Sequence, residues 1–130
     1  MSAGTPALRE KAALFAVRHP RCSISIDECG DPKALVLALE GELDSNDSRD
    51  FEEVARLALA ESRSSGGLVI ELSKLGYVAS MGIGALVTIL TESKRSGTPL
   101  YLRNLPEHAK SILDLLGFLS LFDLIGESRP

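Results

Sequence analysis

The chain is short of most ingredients that catalysis, metal binding or nucleic-acid binding draws on. Positive charge is not in excess: 14 Lys and Arg stand against 18 Asp and Glu, for a net charge of −4. A nucleic-acid binder normally carries a basic face, so the charge argues against that class. No apolar run approaches the roughly 18–20 residues of a membrane span. The N-terminal run Ala12 to Val17 is short and is interrupted by Arg18 and His19, which argues against a signal peptide. The two cysteines, Cys22 and Cys29, are too few for a disulfide scaffold. On one extended strand they would lie about 23 Å apart, far beyond bridging distance, as expected of reduced thiols in a cytoplasmic protein. The two histidines lie outside the central motif, His19 in an N-terminal segment and His108 in the first turn of an expected surface helix, and both read as solvated. There is no Cys/His spacing for zinc and no nucleophile-elbow serine. The phosphate-cradling glycine patterns are absent as well, and Gly82-x-Gly84 alone does not make one. Carboxylates gather on the first helix of the domain and read as a solvated face. The expectation is a non-enzymatic protein with no catalytic residues, no metal and no cofactor.

What is present describes one small α/β domain. With 130 residues, 45% apolar and 25% charged, the chain is long enough to bury a core. Residues 1–20 read as an N-terminal extension and 21–127 as the domain. Met1 to Pro6 is small and polar. Ala7 to Arg18 predicts a short helix with Leu8, Ala12 and Phe15 at i, i+4 and i+7, ended by Pro20. Such a helix either lies on the domain's own surface or serves for docking or dimerisation.

Ser23 to Asp27 alternates polar and apolar, and Gly30 to Lys33 is turn chemistry. Ala34 to Leu39 is a second, more continuous strand, so the two form a hairpin with the second strand nearer the sheet centre. Asp44 to Ser48 is a cluster of N-cap residues ahead of a helix over about Ser48 to Glu61, whose apolar face is Phe51, Val54, Ala55 and Ala58. The central strand is Leu68 to Leu72, followed by a link of about half a dozen residues. A helix from Ser80 to about Ser96 buries Ile83, Leu86, Val87 and Leu90 and ends at Gly97 and Pro99. Then come a strand over Leu100 to Leu102 and a helix after Asn104 and Pro106. That helix faces inward with Ala109, Ile112, Leu113 and Leu116 and is closed by Gly117; a last strand spans about Leu121 to Ile125. The order is β-β-α-β-α-β-α-β, a mixed but mostly parallel sheet covered by helices.

The stretch with functional promise is Ala79 to Gly84. Ser80 stands where a strand hands over to a helix N-terminus, a position that exposes a hydroxyl and favours negative charge. On position alone, Ser80 reads first as a plain N-cap. The two glycines behind it argue for more, because each sacrifices roughly 1 kcal/mol relative to alanine in a helix. They make sense where a helix, sheet or partner must approach closely.

Four features together are similar to one family. They are Glu40 to Asp44 as a G-x-L-D signature, the strand Val69 to Leu72 with its link, Ala79 to Gly84 against a D-S-S-G-[LI]-G motif, and Leu115 to Phe118 before the final strand. Over about Cys22 to Ile125 the chain resembles the STAS domain, specifically anti-sigma factor antagonists of the SpoIIAA type. The resemblance implies a cytoplasmic bacterial signalling protein, a monomer or weak homodimer, that binds an anti-sigma factor which is also a serine kinase. Ser80 is then the phospho-acceptor, and phosphorylation ends the binding. Asp44, Ser45, Ala79, Met81, Gly82, Ile83 and Gly84 are the implied partner-facing residues. The sequence departs from the motif at two positions: Ala79 replaces the aspartate and Met81 the second serine. The resemblance also admits a scaffold subunit of a larger signalling assembly, or a module for a nucleotide or lipid ligand.

Overall fold

The computed structural model describes residues 4–30 and 33–126. Asp31 and Pro32 of the expected turn, Met1 to Ala3 of the N-terminal tail and the C-terminal Ser128 to Pro130 lie outside the described residues. The elements are α1 (Pro6–Arg18), β1 (Cys22–Gly30), β2 (Lys33–Leu43), α2 (Ser48–Ser62), β3 (Leu68–Val78), α3 (Ser80–Ser96), β4 (Leu100–Arg103), α4 (Glu107–Leu115) and β5 (Asp123–Ile125). Among the described residues the five strands form one sheet in the order β1-β2-β3-β4-β5. β1 and β2 are antiparallel, and every later pair is parallel. The hairpin, the inner position of β2 and the central position of β3 agree with the sequence reading.

Each crossover steps to the next strand in the same direction, and right-handed connections therefore put α2, α3 and α4 on one face. The alternation of the strands matches this. Leu35, Leu37, Leu39, Leu68, Ile70, Leu72, Leu100 and Leu102 point into the main core with Phe51, Ile83, Leu86 and Leu113. Leu8, Ala12 and Phe15 of α1 belong to that same core. Thr5 caps α1, its hydroxyl oxygen accepting from the Leu8 N–H at 3.3 Å, and Pro6 supplies the first turn.

Several details differ from the expectation. The stretch from Ser73 to Val78 is no link but the second half of β3, paired with Glu40 to Leu43 of β2. The pairing is carried through by register shifts around Glu40 to Glu42. Gly41 sits there at φ 107°, and a Cβ on it would meet the Arg21 carbonyl oxygen at 2.1 Å. Such a bulge breaks the even alternation from which a strand is read. On α3, Val87 is half-buried, and Ala85, Ile89 and Ser93 complete the inner stripe. On α4, Leu116 is 58% exposed because the helix ends at Leu115, before its last turn returns to the core. The final strand is shorter than expected; Leu119–Leu121 forms a 3-10 turn instead.

The other sheet face carries Ala34, Val36 and Val69 with a polar network beside them. Glu71 there accepts hydrogen bonds from Arg103 Nε, from Asn104 Nδ2 at 3.0 Å and from the Ser73 N–H at 2.9 Å. Burial pushes the Glu71 carboxyl up, but the bonds from Asn104, Arg103 and Ser73 outweigh it and hold the group below its ordinary value. Its stabilisation is therefore present above the unfolded carboxyl range and is lost as pH falls through the folded value. Glu71→Gln is expected to cost about 1–3 kcal/mol at pH 7. In urea denaturation the difference from the natural chain shrinks toward zero at low pH; a difference independent of pH would contradict the assignment.

Candidate functional site

The candidate site forms where β2 and β3 end together. Leu43 and Val78 are register partners, and the Ala79 N–H donates to the Leu43 carbonyl at 2.8 Å. The chain leaving β2 at Asp44 and the chain entering α3 at Ser80 therefore emerge side by side. This is the carboxyl edge of adjacent parallel strands, where open α/β sheets usually place their sites.

Ala79, not Ser80, is the N-cap of α3, with extended backbone and no side-chain capping bond. Ser80 occupies the first helical position, exposed, and its hydroxyl has no hydrogen-bond partner among the described residues. The plain N-cap role is thus ruled out by geometry, because a cap must stand one residue earlier. Met81 is 62% exposed and Gly84 is exposed. Ala79, Gly82 and Ile83 are buried and support the surface from beneath. A Cβ on Gly82 would lie 3.0 Å from both Leu43 and Val78, so the glycine lets the helix sit close on the strand ends. Nothing lies within 4 Å of a Cβ on Gly84. Packing inside the domain gives that glycine no role.

The neighbouring turn is fixed by its own side chains. Asp44 Oδ1 accepts from the N–H groups of Asn46 at 3.1 Å and Asp47 at 3.3 Å, an Asx turn. Asp47 Oδ2 accepts in return from the Asp44 N–H at 3.2 Å, and Ser48 Oγ donates to the Asp44 carbonyl at 2.8 Å. Asp44 is half-buried and Ser45 exposed.

The sequence missed three features here. His19 is not solvated: its ring nitrogens lie 2.6 Å from Asp47 Oδ1 and 2.8 Å from Asp50 Oδ2. Asp47 is only 5% exposed, so these carboxylates are not all part of a solvated face. Tyr77 lies half-exposed beside the α3 N-terminus and stacks on His108, with ring centroids 6.3 Å apart. His108 itself is exposed, as expected. Reading Ser73 to Val78 as a link hid Tyr77, and no local signal joins His19 to residues some thirty positions away.

Residues 25–129 match the STAS domain model. The chain belongs to the STAS domain family. It is 26% identical over 88 residues to BtrV of Bordetella bronchiseptica, a candidate anti-sigma factor antagonist, covering 68% of this chain and 74% of that protein. Its fold is similar to that of an anti-sigma factor antagonist from Mycobacterium paratuberculosis, with a TM-score of 0.66, 20% identity, and coverage of 80% of this chain and 85% of that one. It is likewise similar to the phosphorylated form of the Bacillus cell fate determinant SpoIIAA, with a TM-score of 0.61, 15% identity and coverage of 82% and 93%. Helix α1 precedes the matched STAS region. Among the described residues, no helix is long and apolar enough to cross a membrane and no His/Cys/Asp/Glu group is arranged to hold a metal ion.

Beneath the Asp44 turn of the STAS domain lies Cys22, 3% exposed. Burial, and then the charges of Asp47 and Asp44, push its thiol up to about 12. A thiol so raised holds almost no thiolate near neutrality and is inert. With iodoacetamide at pH 8, Cys29 is expected to be alkylated and Cys22 to stay unmodified until denaturant is added, as read by peptide mass mapping. Equal labelling of both in the native chain would contradict this packing.

Proposed function

We propose that this STAS protein is an anti-sigma factor antagonist that docks onto an anti-sigma factor with serine-kinase activity, and that phosphorylation of Ser80 ends the contact. The docking surface is the exposed set Ser80, Met81 and Gly84 with the Asp44–Ser45 turn, carried on buried Ala79, Gly82 and Ile83. The observation that carries this reading is the exposed Ser80 hydroxyl with no partner among the described residues, at the first position of a helix whose cap offers no side-chain acceptor. The names of the relatives point the same way, since BtrV is a candidate anti-sigma factor antagonist and SpoIIAA is described in phosphorylated and unphosphorylated forms.

Physical chemistry makes such a switch effective. A phosphate adds about −1.5 to −2 charges. In the free domain the N–H groups and dipole of α3 accommodate it. Pressed into a packed interface, the same charge must be desolvated at a penalty of several kcal/mol. At 1.4 kcal/mol per tenfold in affinity, a hundredfold loss needs no refolding. Met81 and Tyr77 add exposed, adaptable apolar contact beside the Asp44–Ser45 turn.

Gly84 separates docking from folding. Gly84→Ala is expected to stabilise the chain by about 0.5–1 kcal/mol, because a helix interior favours alanine and the added methyl meets nothing. The same variant is expected to weaken calorimetrically measured binding to the cognate anti-sigma factor at least tenfold. Raised stability with unchanged affinity would remove Gly84 from the docking surface.

A further inference from the structure

His19 ties a helix outside the matched STAS region to the turn beside the candidate docking surface. It caps the C-terminus of α1, its N–H donating to the Phe15 carbonyl at 2.9 Å. Its ring packs on that of Phe15, centroids 4.6 Å apart, and its side chain is 10% exposed. Nδ1 meets Asp47 Oδ1 at 2.6 Å and Nε2 meets Asp50 Oδ2 at 2.8 Å. One ring nitrogen thus serves each carboxylate, and the imidazole bridges the start of α2 from α1.

From His19 the contacts run on without a gap. Asp47 uses its second oxygen to hold the Asp44 N–H, and Asp44 in turn holds the N–H groups of Asn46 and Asp47. Asp44 follows Leu43, whose carbonyl receives the Ala79 N–H ahead of Ser80. We propose that His19 is a positioning residue for the docking surface: by gripping Asp47 and Asp50 it sets the Asp44 turn, and so makes α1 part of the partner site. This rests on the docking reading given above. Exposed ion pairs nearby do not substitute for it. Arg18 reaches Asp50 only at 3.9 Å, Lys11 reaches Glu53 at 4.0 Å, and Arg21 pairs with Glu42 at 2.9 Å. None of these touches Asp47.

The test compares three full-length variants. His19→Gln keeps a polar side chain of similar length at the C-cap but cannot bridge both carboxylates. Val69→Ala destabilises the opposite sheet face without touching α1 or the clamp. Asp44→Ala removes the turn's own acceptor. By NMR, His19→Gln is expected to speed amide exchange at Asp44 and Asp47 at least tenfold while Ile83 to Leu90 keep their protection; Val69→Ala should leave those two amides as they are relative to Ile83 to Leu90. Equal exchange in His19→Gln and the natural chain, or the same selective acceleration in Val69→Ala, would overturn the positioning role.

The host's anti-sigma factors, purified individually, are then titrated against each chain. His19→Gln is expected to weaken binding at least fivefold alone and to add no further loss in the Asp44→Ala background. Additive losses would mean that His19 does not act through the turn. If Asp44→Ala leaves every affinity unchanged, or no anti-sigma factor binds the natural chain, the docking reading itself falls and takes His19's part in docking with it, whatever the exchange shows.

Discussion

The parallel pairing of β2 with β3 has to run to the very ends of both strands, and the arrangement of the candidate site follows from that constraint. Leu43 faces Val78, and one hydrogen bond from the Ala79 N–H to the Leu43 carbonyl closes the pair. Two glycines make the junction possible for different reasons. Gly41 takes a left-handed conformation at the bulge, against the Arg21 carbonyl. Gly82 lets α3 settle against Leu43 and Val78. With the junction closed, Ser80 must start α3 at the surface, and Asp44 must leave β2 next to it.

The helical half of the structure was plain in the sequence because its signals are local and periodic. Leu8, Ala12 and Phe15, then Phe51, Val54, Ala55 and Ala58, lie at helical spacing and all are buried. The bounds of α3 follow from a strand-to-helix handover at one end and Gly97, Lys94 and Arg95 at the other. The second half of β3 was illegible because bulges interrupt the alternation that identifies a strand, and Tyr77 was lost with it. Leu116 was read as inward because a periodic pattern says nothing about where the helix stops.

The site itself was half legible. Ser80 stood out at a helix start, whereas Asp44 became a candidate only through the resemblance to the STAS motif. Which side chains face out could not be read, since Ala79, Gly82 and Ile83 lie beneath the surface that Ser80, Met81 and Gly84 form. The His19 grip on Asp47 and Asp50 was wholly hidden. It joins residues far apart in sequence, and a lone histidine ahead of a proline carries no sign of a partner. Long-range polar contacts of this kind are set by tertiary packing, not by propensity.

If the N-terminus of α3 is a docking surface, as proposed, a phosphate on Ser80 closes it. The most direct measurement is calorimetric titration of the cognate anti-sigma factor into two forms of this chain, one unmodified and one phosphorylated at Ser80, with thermal unfolding of both recorded alongside. At least a hundredfold weaker binding by the phosphorylated form is expected, with cooperative unfolding retained. Equal affinities in the two forms would contradict it.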